Sequence, residues 1–140
     1  MTNFATRKET QQMKSEIVTL CEYASEHNGR LTIVDTFDAI IATKFPWRAY
    51  FSVASKIDLM GCKKDYKIVS MRIISAKDSN KVVFEASSPF NHPESFGKLN
   101  MVANFKGLIF EEQGEYLFHV LFDNTVIAEC VFKVILKNDE

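Results

Sequence analysis

The last third of the chain constrains its fold most. Tyr116, Phe118, Val120 and Phe122 recur at a two-residue period, Asp123-Asn124 supplies a turn, and Val126 to Leu136 runs back. Successive side chains of a strand point to opposite faces, so the pattern predicts a hairpin with an aromatic inward face. The outward set, Leu117, His119, Leu121, Ile127, Val131 and Ile135, is nearly as apolar as the inward one. A solvated face would be polar. The outward face is therefore expected to be sheltered by an N-terminal helix, by a long loop, by a second copy across a two-fold interface, or by another partner.

The same rhythm runs upstream. Ile17 to Tyr23 reads as a strand closed by the polar loop Ser25 to Gly29. Leu31, Ile33, Phe37, Ala39, Ile41 and Phe45 then fall on one side of a two-residue period. That extended run is longer than a typical strand, so a bend or bulge is expected near Asp35 to Asp38, and Pro46 ends the run. Tyr50 to Leu59 alternates with Phe51, Val53, Ile57 and Leu59 inward. Lys67 to Ile74 and Lys81 to Ala86 flank the turn Lys77-Asp78-Ser79-Asn80, and Leu99 to Phe110 is a further strand. Ser87 to Gly97, with Pro89 and Pro93, is expected as the longest irregular loop. Gly114-Glu115-Tyr116 at a strand start resembles the tyrosine corner of immunoglobulin-like sandwiches. The expected fold is all-β: one domain over 1–140, an antiparallel two-sheet sandwich of about eight strands, immunoglobulin-like or C2-like. Residues 1–15 are expected as a short helix or arm.

Composition adds limits. Twelve Phe against one Trp and four Tyr point to a core built of Phe and β-branched side chains. Net charge is −1, and the densest basic cluster is Cys62-Lys63-Lys64. Nucleic-acid binding needs more clustered cations than that, so no nucleic-acid partner is expected. No apolar run approaches the ~20 residues of a bilayer-spanning helix, and Met1 to Met13 lacks a secretion pattern, so a cytoplasmic protein without membrane partners is expected. Three cysteines without tight spacing argue against a disulfide framework, and Cys130 is expected as a small buried apolar residue.

No catalytic, cofactor or metal set is expected. The cysteines and histidines lack paired zinc-ligand spacing, and the aspartates are scattered over separate turns. Ser87, Ser88 and His92 share a segment without a Gly-x-Ser-x-Gly elbow. Two aromatic loops stand out as binding candidates: Phe45, Trp47, Arg48 and Tyr50 in the first, Phe90 and His92 in the second. Trp, Tyr and Arg are enriched at interface hot spots. The plainer reading of both loops is that an aromatic plugs an open end of the sandwich.

Leu20-Cys21-Glu22-Tyr23-Ala24, Gly29-Arg30-Leu31-Thr32-Ile33, Phe37 and Phe45-Pro46 resemble the opening of a bacterial family of small proteins of unknown function. Gly114 to Phe118, Asp123 to Ala128 and Phe132-Lys133-Val134 resemble its closing hairpin. The glycine that family commonly places near Asp35-Thr36 is absent here. The resemblance implies a bacterial cytoplasmic β-sandwich and carries over no catalytic or ligand residue. The expected role is a non-enzymatic protein-interaction module, a homodimer or part of a larger complex. The alternative is a small-ligand or carbohydrate-binding sandwich using Trp47 and Tyr50. An enzyme would need His92 to meet a carboxylate in a cleft.

Overall fold

Strands with one apolar side can bury it only against a second layer, and two sheets result. A computed structural model describes residues 13–60, 62, 65–91 and 97–137. Among them are nine strands: β1 (Lys14–His27), β2 (Arg30–Phe37), β3 (Ala39–Ala42), β4 (Trp47–Asp58), β5 (Ile68–Ser75), β6 (Val82–Pro89), β7 (Lys98–Phe110), β8 (Gly114–Phe122) and β9 (Thr125–Leu136). The first sheet has the order β2-β1-β4-β7, the second β3-β9-β8-β5-β6. Phe51, Phe105, Phe110, Phe118, Phe122 and Phe132 meet between the sheets. Their rings interlock, with Phe51 and Phe105 centred 4.9 Å apart and Phe110 edge-on to Tyr116 at 5.0 Å. The Phe-rich core and the two-sheet sandwich are as the sequence indicated.

Several boundaries differ. The run from Leu31 to Phe45 is split between the sheets: β2 belongs to the first and β3 to the second. Asp35 takes a left-handed φ of 55°, and after Asp38 the phase inverts, so that Ile40 and Ala42 point inward while Ile41 is exposed. The crossing makes β3 run parallel to β9, the one parallel pair among the described strands. Phe45–Pro46 is a cis peptide bond. The loop expected from Ser87 begins later, because Ser87 to Pro89 pair with Ser70 to Ile68 as the end of β6. The helix or arm expected at 1–15 falls largely outside the described residues; Lys14 and Ser15 already belong to β1, opposite Asp58 and Ile57.

Local turn chemistry holds the frame. Tyr116 donates its hydroxyl to the Glu112 carbonyl at 2.6 Å, four residues back, which is the tyrosine corner. Asp123, at φ 56°, turns the β8–β9 hairpin while its carboxylate accepts the Lys67 and Ile68 amides at 3.0 and 3.1 Å. Asp78 closes the β5–β6 turn, accepting the Asn80 amide at its side chain and the Lys81 amide at its carbonyl. No helix among the described residues is long and apolar enough to cross a membrane.

Candidate functional site

The site begins with a strand that leaves its neighbour. β1 pairs with β4 from Lys14–Asp58 to Cys21–Ser52 and no further. Beyond that point it stays with β2, down to His27–Arg30. Asp35, with its left-handed backbone, sits across from Glu22 at the point of departure. Few residues other than glycine tolerate that conformation, and aspartate is among them. The far half of the hairpin folds over the outer face of the first sheet. Leu31 and Ile33 pack there with Cys21, Ala24, Ala54 and Val102. At the tip, Asn100 of β7 donates its side-chain amide to the Gly29 carbonyl at 3.1 Å. Small side chains at Ser52 and Ala54, both buried, leave room for this close approach.

Where β1 has gone, one side of β4 has no described strand beside it. Trp47 to Phe51 pair with β7, and among the described residues no strand pairs with them on the other side. Across the gap stands β3, at the edge of the second sheet. Lys133 donates its amide to the Asp38 carbonyl at 3.0 Å and Lys137 to that of Ala42 at 2.7 Å, so the even-numbered residues face β9. The main-chain groups of Ala39 and Ile41 therefore point to the free edge. Between the two edges lies a cleft of about 480 Å³, lined by Glu22, Phe37, Ala39–Ile41 and Trp47–Phe51.

Three residues of the first aromatic loop converge there: Trp47, Arg48 and Tyr50. Tyr50 is 66% exposed, whereas Trp47 and Phe45 are half-buried and pack on the core. Arg48 runs along Gly107, where an added Cβ would come within 3.2 Å of the Arg48 stem; Gly107, at φ 99°, lies in the bulge of β7 opposite Ala49 and Tyr50. Phe90 lies at the opposite end of the sandwich, edge-on to Phe122 at 4.9 Å, with its amide donated to the Lys67 carbonyl. It plugs the core, as the plainer reading had it. His92 falls outside the described residues. Sequence reasoning missed Glu22 and Phe37 as cleft residues. The readable sign was the apolar run Ala39 to Ala42, which lacks an alternating polar residue because the chain changes sheets there.

A family model described as a family of unknown function, DUF6941, matches residues 16–135. The chain belongs to that family. An immunoglobulin-like protein (PA1606) from Pseudomonas aeruginosa, known from a crystal structure, is similar with a TM-score of 0.50 and 12% identity, over 89% of this chain and 98% of that one. The DNA glycosylase AlkC of Pseudomonas fluorescens, solved with DNA containing an abasic site analogue, matches 88% of this chain and 30% of its own length, with a TM-score of 0.48 and 10% identity. No curated protein sequence matches. Of the two folds the sequence allowed, the immunoglobulin-like one is therefore the fold of this DUF6941 domain.

The outer face of the second sheet carries the other candidate set. Leu117 is half-buried, His119 and Leu121 are buried, and Val131 and Ile135 are exposed. Ile127 sits in the bulge of the β8–β9 hairpin and packs against the core instead of standing with the other five. Across the middle of the face runs a polar row in register: Glu129, His119, Arg72 and Glu85, one from each of β9, β8, β5 and β6. Arg72 donates Nε–H to His119 Nδ1 at 3.2 Å, so His119 carries its proton on Nε2 and gives it to Glu129 at 2.8 Å. His119 is thus a bridge between two charged side chains. Burial pushes the thiols of Cys21 and Cys130 up from their ordinary value, which makes them poor nucleophiles. Among the described residues no group of three or more His, Cys, Asp or Glu could hold a metal.

Proposed function

We propose that this domain is a non-enzymatic interaction module that takes a segment of a partner protein into the cleft between β3 and β4. The observation that carries this reading is the meeting of exposed Tyr50 and Arg48 with Trp47 and the exposed Ile41 beside two stretches of strand that, among the described residues, are unpaired on one side. Trp, Tyr and Arg beside a partly apolar depression are the groups that dominate binding energy when truncated. The unpaired thiols Cys21, Cys62 and Cys130 fit a reducing compartment, consistent with a cytoplasmic complex.

Capture of partners on immobilised domain tests the reading. Tyr50→Ala removes exposed contact area and leaves the core intact, so recovery of a specific partner should fall at least tenfold with an unchanged melting temperature. Tyr23, also exposed but on the β1–β2 hairpin, is the control, and Tyr23→Ala should retain the partner. Equal loss in both variants would sink the proposal. Trp47→Ala is a poor probe, because Trp47 also packs on the core.

A second reading has its own observation. The cleft volume lies within the roughly 300–1,000 Å³ range of small-molecule sites, and Trp47 with Tyr50 could stack on a sugar ring. Thermal shift against sugars and nucleotides separates the two, since a ligand at 100 times its dissociation constant adds about 2.7 kcal/mol. Self-association through Val131 and Ile135 is a separate arm, checked by light scattering.

A further inference from the structure

We infer that the cleft is filled by strand addition: an extended peptide segment of the partner pairs with the free side of β4 along Trp47–Phe51, in the line β1 abandons. This rests on the interaction-module reading and adds the form of the ligand. Three observations carry it. β4 is a strand throughout Trp47–Asp58, yet its first five residues have, among the described strands, a ladder on the β7 side alone. Every second residue of such a stretch directs an amide and a carbonyl at the side without a described strand, and an added strand satisfies both in one regular ladder. The place beside it continues the line that β1 occupies from Cys21 toward Lys14, and a cleft of about 480 Å³ lies there.

The walls define the side chains of the incoming strand. Its alternate residues would face Phe37, Ile40 and Trp47 on the core side and so be apolar. The remainder would lie beside Tyr50, with Arg48 and Glu22 as the charged groups of the lining, and so be polar or charged. An exposed strand edge is ordinarily a liability that proteins blunt with charge or cover. Here the chain uses its own hairpin to cover a different surface and, among the described residues, sets no strand on this edge, which is the arrangement of a receptor for an extended segment.

The experiment uses the full chain and an array of synthetic peptides of about eight residues, the length of an ordinary strand, in which Val, Ile or Phe alternates with Glu, Lys or Thr. The expected result is selective binding that Tyr50→Ala weakens at least tenfold, with slowed hydrogen exchange at amides within Trp47–Phe51. N-methylation of alternate residues of the best peptide then decides the mode. One alternate set should abolish binding and the other should leave it within about twofold, because only one edge of the added strand faces β4. Binding that is sensitive to Tyr50→Ala yet indifferent to both N-methyl sets would overturn strand addition while leaving the interaction-module reading intact. Protection confined to Ala39 and Ile41 overturns the assignment to β4. Absence of binding across the array, or a dimer that Tyr50→Ala dissociates, overturns it as well, the latter by making a second copy the occupant.

Discussion

The two outer faces of the sandwich solve the same problem differently. The first sheet presents Ser52, Ala54 and Val102 outward and roofs them with the chain's own hairpin, so Cys21, Ala24 and Ala54 form a second small core. The second sheet has no strand of the chain over it among the described residues, and it interrupts its apolar side chains with the row Glu129–His119–Arg72–Glu85. Small residues permit a cover, and long polar ones make a cover unnecessary. An apolar outward set on one hairpin is therefore insufficient to infer a lid, because the neighbouring strands decide whether the surface is wetted.

The contrast can be broken most forcefully at Ala54. Ala54→Leu adds side-chain volume beneath the hairpin, where overpacking costs about 1–3 kcal/mol. Loss of hydrogen-exchange protection should be concentrated in β1 beyond Cys21 and in β2; a loss spread evenly over both sheets would show that the hairpin is no separate layer. On the other face, His119→Leu removes the acceptor for Arg72 and the donor for Glu129. Both partners reach solvent, so the expected loss is near the low end for a broken polar link, about 1 kcal/mol in urea unfolding. A change of 3 kcal/mol or more would mean the row is buried by something further.

Alkaline titration gives a smaller, signed effect. Cys21, Cys130 and Tyr116 all have pKa values raised by burial, so the unfolded chain releases their protons first. Stability is then fully present below the ordinary thiol value of 9.0 and falls as pH rises through the folded values. Replacing Cys21 and Cys130 with Ala should flatten the thiol part of that slope. The smallest change is expected from Val131→Thr: with Val131 46% exposed, monomer stability should move by less than about 0.5 kcal/mol. A larger drop that depends on protein concentration would indicate self-association through this face.

Much of the frame was legible. Period-two patterning located β4 from Tyr50 onward and the β8–β9 hairpin, Leu99 to Phe110 was read as the strand that is β7, and the tyrosine corner was readable from Gly114-Glu115-Tyr116 because it is a local device. The Asp35–Asp38 bend was also foreseeable, since no single strand stays extended for so long. What alternation could not convey was which sheet each half would join, nor that Ile41 would invert to the outside. That depends on β9, more than ninety residues later in the chain, as the parallel partner of β3. The polar row was invisible for the same reason: Glu129 and His119 lie on one hairpin, but Arg72 and Glu85 are supplied by strands far earlier. Within the candidate site, Trp47, Arg48 and Tyr50 were readable as residue types. Their setting was not, because it is created by the departure of β1.

That departure has a thermodynamic corollary. A single pivot at Glu22 and Asp35 both shelters Ala54 and vacates the line beside Trp47–Phe51, so the two outcomes are alternative uses of one length of chain. A guest on that line and a β1 extension laid back along β4 would exclude each other, so occupancy of the line would oppose any lifting of the roof from Ala54.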